Sequence, residues 1–213
     1  RILKRGVIRI GYKTQNLPFT YLNTNTKTIQ GFDIQYAHML AKSMNCKIEF
    51  IPFTNENLDK LLNTGKIDIA MSGLAFVPQL KNNILFSNPV MELNLGLVVK
   101  DHRKKEFSSS KNRHIQKYKI TAFEDNPFME SFKQKRPNIE FSICDKPADF
   151  FDNKENQYDG LLISAEAGSA WTLYYPGYSI IIPKPSIYRY AEAFAISGHN
   201  ADFLSFINQW LKM

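Results

Sequence analysis

The chain has 213 residues, of which 44% are hydrophobic and 22% charged, and carries a net charge of +7. That length suits one large domain or two lobes with separate cores, and the composition is ordinary for a globular protein. No apolar run reaches the ~18 residues that a membrane-spanning helix needs.

The chain opens at Arg1 inside what reads as a folded unit. An export signal is therefore expected to have been removed or to lie outside this sequence. The positive charge serves solubility or attracts an anionic ligand or membrane surface. Cys46 and Cys144 fall in different predicted lobes, so two free thiols are expected rather than a disulfide.

Residues 7–12 (VIRIGY) alternate as a first strand, and 16–19 form a turn carrying Pro18. The polar stretch 20–29 reads as a hairpin or surface loop. Residues 31–44 are the first helix, with Ile34, Ala37, Leu40, Ala41 and Met44 on its apolar side. His38 beside that stripe reads as a packed or surface histidine. Residues 47–52 (KIEFIP) are the second strand. Thr54 or Asn55 is suited to cap a helix that turns Leu58, Leu61 and Leu62 inward and stops at Gly65.

The stretch 65–87 organises the rest. Ile67, Ile69 and Met71 alternate with Asp68 and Ala70 and lead to Ser72-Gly73, which predicts a short buried strand ending in a small-residue turn. Pro78 suits the first turn of a following helix. In open α/β sheets ligands gather beyond the carboxyl ends of strands, where free backbone N–H groups can receive them. The working site is therefore expected around residues 72–80. Strand–helix–strand–helix–strand order predicts a parallel sheet with right-handed crossovers.

Residues 86–100 form a long extended run, broken at Asn88-Pro89, that takes the chain out of the first lobe. Residues 101–119 are basic and polar and read as a solvated loop. A second α/β pattern follows. Its strands are 119–123, 139–143, 158–164 and 178–183, and its helices are 126–136 (from Pro127), 147–152 and 165–174. A last strand is predicted over 190–196. In the terminal helix Phe203, Phe206, Ile207, Trp210 and Leu211 make an apolar face that returns to the first lobe.

No CxxC, HExxH, GxGxxG or P-loop motif is present, and His38, His102, His114 and His199 lack metal-ligand spacing, so no metal or cofactor is expected. Ser108 and Lys111 spell the S-x-x-K of β-lactamase-type hydrolases, but without companion motifs they read as loop. Residues 102–119 lack the interleaved aromatics of a single-strand platform, so nucleic acid is not an expected partner. Asp33, Asp68, Asp159 and Glu166 lie near strand ends or helix starts. Asp33 and Asp68 read as structural, for example as helix caps.

Gly31-Phe32-Asp33-Ile34 opening a helix, Gly65-Lys66-Ile67-Asp68-Ile69 leading to Ser72-Gly73, and Phe86-Ser87-x-Pro89 resemble the bacterial extracellular solute-binding proteins of family three. Those are the polar amino-acid receptors of ABC importers. A narrower match runs from Ser164-Ala165-Glu166-Ala167-Gly168 through Trp171 to Tyr175-Pro176-x-Tyr178-Ser179. It resembles the solute-binding domain carried by some cation:dicarboxylate symporter-like membrane proteins. The resemblance implies an α/β, two-lobe periplasmic-binding-protein fold of type II. Each lobe would be a mixed, mostly parallel sheet flanked by helices, with two crossing hinge segments. Lobe one would be 1–89 plus 190–213, lobe two 90–189, and the hinges near 88–91 and 187–190. The resemblance further implies a non-catalytic monomer that closes on a small-molecule ligand. Its partner would be a membrane transporter, either an ABC permease or a fused symporter-like domain. It would act in the periplasm or at the extracellular face of the inner membrane.

The family's T-x-E-R pattern after the Ser-Gly turn, whose arginine clamps the ligand α-carboxylate, falls on Val77, Pro78, Gln79 and Leu80. Leucine cannot make the bidentate pair. Lys13 and Asn16 stand at the acidic and aromatic positions of the first loop, and Asn55 replaces a second aromatic wall. The lobe-two aspartate position falls near Ser164, with Glu166 two residues on. The resemblance thus assigns ligand contacts to Lys13, Asn16, Asn55, Ser72, Gly73, Leu74 and Leu80 of lobe one. In lobe two it assigns Asn126, Phe128, Ser164 and Glu166. The asparagines also suit turns or caps, Lys13 the surface, and Glu166 a helix start. Loss of one charge-assisted pair costs about 1.5–3 kcal/mol, so an ordinary α-amino acid is expected to bind poorly. Two alternatives stand beside this reading: a dehydratase-like enzyme using Glu166, and a ligand-sensing domain of a membrane protein. The terminal helix ends early for the family, which fits an excised domain or a short variant.

Overall fold

The computed structural model describes residues 1–76, 83–108, 117–123, 126, 129–134, 136–152, 157–183 and 188–213. A short helix α1 (Ile2–Arg5) leads into β1 (Val7–Tyr12), β2 (Gln15–Asn16), β3 (Thr20–Asn23) and β4 (Thr28–Gln30). Then come α2 (Phe32–Ser43), β5 (Lys47–Pro52), α3 (Leu58–Asn63), β6 (Ile69–Ala70) and β7 (Ile84–Phe86). The long strand β8 (Met91–Lys100) is followed by α4 (Lys104–Ser108), β9 (Tyr118–Ala122), α5 (Met129–Gln134) and β10 (Ile139–Ile143). Next are α6 (Pro147–Phe151), β11 (Gly160–Ser164), α7 (Ala165–Tyr174) and β12 (Tyr178–Ile181). The chain closes with β13 (Arg189–Glu192), β14 (Ala195–Ser197) and α8 (Ala201–Trp210).

Two compact units result, Arg1–Glu92 with Ala191–Met213, and Leu93–Tyr190. The first carries a sheet in the order β5-β1-β6-β14-β7. β1, β5 and β6 run parallel, and β14 is antiparallel to both its neighbours. Alternation sorts its side chains. Ile69 and Met71 join Ile8, Ile10, Phe194 and Ile196 under Ala37, Leu40 and Ala41 of α2 and Phe203 and Ile207 of α8. Ala70 and Ala195 face the other way, onto Phe53, Leu62 and Ile67.

The second unit repeats the plan, in the order β10-β9-β11-β8-β12, with β8 antiparallel to β11 and β12. Leu95, Leu97 and Val99 of β8 meet Ile120, Leu162, Phe107 and Phe132 on one face. Against the other lies α7, whose small residues allow a close approach: a Cβ on Gly168 would come within 2.5 Å of Ile180.

Each unit also fastens the amino edge of its sheet in the same way. Asp68 accepts from the Arg5 guanidinium and, at 2.8 Å, from the Arg9 N–H, and returns its own N–H to the Arg9 carbonyl. Asp159 accepts from Arg103 and, at 2.7 Å, from the Lys119 N–H, and returns its N–H to the Lys119 carbonyl. Asp68 is therefore structural, as expected, but it clasps two strands and caps no helix.

Several expectations are corrected. The predicted strand 190–196 is two strands. Ala193 donates to the Leu74 carbonyl and Phe194 to Ser87 Oγ, which shifts pairing from β8 to β6 and β7. Residues 101–108 are helical rather than a solvated loop, because Arg103 is neutralised by Glu106 and Asp159 and Phe107 is buried. Neither Thr54 nor Asn55 caps α3. Asn57 is its first flanking residue, and the Asn57 Oδ1 accepts the Thr54 N–H. Phe206 is 40% exposed, and Leu204 packs against the core instead. The expected helix start at Pro78, the helix start at Pro127, His114 and the Lys111 of S-x-x-K lie outside the described residues.

Ile207→Ala is expected to lower stability by about 2–5 kcal/mol, the usual range for emptying a buried aliphatic site. Phe206→Ala should cost well under half of that. Urea denaturation of the two variants reads the difference.

Candidate functional site

β1, β5 and β6 are parallel, so their carboxyl ends share one edge of the first sheet. Beyond β6 the chain reaches Ser72-Gly73. Gly73 has φ 59°, and a Cβ there would stand 2.3 Å from the Phe19 ring, so the position requires glycine.

The Ser72 hydroxyl, the Ser72 carbonyl and the Gly73 N–H are each engaged from another segment. Ser72 Oγ accepts the Lys13 N–H at 3.0 Å and lies 2.6 Å from Thr20 Oγ1. Thr20 Oγ1 donates to the Lys13 carbonyl at 2.7 Å, which leaves the Ser72 proton to bridge the two hydroxyls. Asn16 Nδ2 donates to the Ser72 carbonyl at 2.6 Å. The Gly73 N–H donates to Asp33 Oδ2 at 2.7 Å. The expected free donor at Gly73 is thus occupied, and Asp33 holds the turn rather than capping α2. The chain beyond Gly73 stays extended: Ala75 pairs with Glu192, and the Phe76 N–H donates to the Ala191 carbonyl.

Asp33 is fully buried and faces Glu192, also fully buried. Burial pushes the Asp33 carboxyl up to about 6, against the pull of its hydrogen bonds to Glu192 and Gly73. Burial, followed by the charge of Asp33, pushes Glu192 up to about 10.

Lys13 and Asn16 are half-buried beside the turn, and Asn55 is exposed just past β5, on the same edge. Leu74 is buried against Phe53, Leu62, Ile67, Ala70 and Ala195. Leu80 lies outside the described residues.

In the second unit the carboxyl ends of β9 and β11 share an edge. Ser164 ends β11 and caps α7, its Oγ accepting the Ala167 N–H at 3.0 Å. Glu166, in the first turn of α7, accepts from Asn94 twice, at 3.2 Å from the backbone N–H and 3.1 Å from Nδ2. Asn126 Nδ2 donates to the Leu162 carbonyl at 3.1 Å. Phe128 lies outside the described residues.

The structure therefore brings Lys13, Asn16, Ser72 and Gly73 together in the first unit. In the second it places Asn126, Ser164 and Glu166 along β11 and its end. Thr20, Asn94 and Glu192 were not singled out in the sequence. Thr20 is a polar residue opening a hairpin, and Glu192 a lone acid in an apolar run; neither pattern marks a role by itself. Among the described residues no group of three or more metal-ligating side chains occurs, and no helix is long and apolar enough to cross a membrane.

Comparison with known proteins agrees with this architecture. The family model described as bacterial extracellular solute-binding proteins, family 3, matches residues 8–213. The protein named "probable histidine-binding protein" of Neisseria gonorrhoeae is 32% identical over 98 residues, 46% of this chain and 36% of that protein. Cyclohexadienyl dehydratase of Pseudomonas aeruginosa is 33% identical over 91 residues, 43% of this chain and 34% of that enzyme. The match thus spans about a third of the length of these two relatives. A crystal structure of an ancestral amino-acid-binding protein, a precursor of cyclohexadienyl dehydratase, superposes with TM-score 0.85 at 26% identity, covering 99% of this chain and 90% of that one.

Ser72→Ala should destabilise the protein by about 1–3 kcal/mol, since it strips the Lys13 N–H of its acceptor in a partly buried place. Gly73→Ala should cost more, because it adds backbone strain to the collision with Phe19. Equilibrium urea unfolding of both variants checks the order.

Proposed function

The chain belongs to the bacterial extracellular solute-binding proteins of family 3, and from that premise we propose that it is a non-catalytic clamp for a small polar solute. The lobes close on the ligand outside the inner membrane, and the loaded protein delivers it to, or regulates, a membrane transporter. That transporter is an ABC permease or a fused symporter-like domain. The observation that carries the reading is the family match along residues 8–213.

In this reading the ligand meets Lys13, Asn16 and Asn55 around the Ser72 turn, and Glu166 and Asn126 at the edge of the second sheet. Leucine at position 80 removes the guanidinium that relatives use on an α-carboxylate. The ligand is therefore amino-acid-like or a small organic acid, but not an ordinary α-amino acid gripped in the family's manner.

The dehydratase among the relatives supports a second reading, in which Glu166 is an acid held in place by Asn94. A thermal-shift screen over amino acids, dicarboxylates and other small anions separates the readings when paired with a turnover assay on cyclic acids. Glutamine, histidine and arginine should give no shift. A true ligand at 100 times its Kd should stabilise the protein by about 2.7 kcal/mol. A full shift with one of those three amino acids overturns the specificity. Turnover abolished by Glu166→Gln overturns the non-catalytic clamp.

A further inference from the structure

We propose that Asp33 and Glu192 form a buried proton-binding site: at neutral pH the pair holds one proton, and that proton fastens the Ser72-Gly73 turn to strand β13. The proposal concerns the first unit alone and does not depend on what the protein binds.

Both side chains have no exposed surface. Asp33 Oδ2 takes the Gly73 N–H. Among the described residues, Asp33 Oδ1 and both Glu192 oxygens have no hydrogen-bond donor when the acids are ionised. Two facing carboxylates in a dry site repel each other and leave bare oxygens, a combination that proteins relieve by keeping a proton. One shared proton bonds an oxygen of one acid to an oxygen of the other and removes one of the charges.

Among the described residues, the ion pairs include neither carboxyl. On α2 the other titratable groups are Tyr36, half-buried with its ring against Phe194, His38, exposed with its ring against Phe50, and exposed Lys42. Before β2 stand buried Tyr12 and half-buried Lys13, and near the pair in sequence lie exposed Arg189 and half-buried Tyr190 on β13 and exposed Glu92 on β8. The groups that act on the two carboxyls are each other and the Gly73 N–H.

The place of Glu192 gives the proton something to hold. Its carbonyl accepts the Val90 N–H at 2.8 Å, and its backbone pairs with Ala75. Its side chain reaches the acid that secures Gly73. Three segments therefore converge on Glu192, two through its backbone and one through the shared proton.

Burial raises Asp33 to about 6 and Glu192 to about 10. Both lie above the ~4 of unfolded carboxyls, so the native state binds more protons than the unfolded one. The stabilisation is full below about pH 4 and is lost as pH rises, first through about 6 and then through about 10.

Urea unfolding of the intact chain from pH 5 to 9 tests this, with Glu192→Gln beside the wild type. The glutamine amide donates to Asp33 at every pH. The wild type should lose stability with rising pH relative to the variant, with a slope difference of about one proton, and the variant should be the more stable above pH 8. Parallel curves overturn the proposal, because a merely structural role shifts stability equally at all pH. Should Glu192→Gln not fold, infrared spectra of the wild type at pH 7 decide. A protonated-carboxyl carbonyl band that resists transfer to deuterated buffer is expected, and its absence overturns the proposal.

Discussion

At Ser72-Gly73 the chain bends through a left-handed glycine beside an aromatic ring and then runs on antiparallel to the 192–196 segment. The hydrogen bonds that hold this bend come from Lys13, Asn16, Thr20 and Asp33. Each such bond contributes about 1 kcal/mol net, and together they tie the end of β1, the β2–β3 hairpin and the first turn of α2 to two residues. Gly31 belongs to the same knot: its φ is 136°, and a Cβ there would collide with the Phe19 carbonyl at 2.1 Å. The position of the sheet's carboxyl edge follows from this convergence.

Much of the scaffold was legible in the sequence, and the reasons are local. β1, β5 and β10 occupy their predicted residues because alternation or flanking turns mark them. α7 does so because Ser164 is both the strand's last residue and the helix cap. The failures share a different cause. YAEAFAI reads as one strand, and only partners more than 100 positions away, such as Ser87, divide it. The basic run hid α4 because the charge of Arg103 is cancelled by Asp159, 56 residues on. Glu192 had no local signature, since its partner Asp33 lies across the fold.

The same distinction applies to the candidate site. Ser72, Gly73 and Ser164 were legible from small residues at strand ends, yet their polar atoms are bound up in the scaffold. Asn55 is exposed, and Lys13 and Asn16 are half-buried, so these are the residues with surface left to present. A fold can be inherited whole while the groups facing the ligand are exchanged.

The clasp made by Asp68 with Arg5 and Arg9 recurs as Asp159 with Arg103 and Lys119. Both stand on the amino rim of their sheets, away from the carboxyl rim that carries the candidate residues. These clasps and the candidate residues thus stand at opposite ends of the same strands. Substitutions at the carboxyl rim of either sheet therefore leave the rivet at its amino rim untouched.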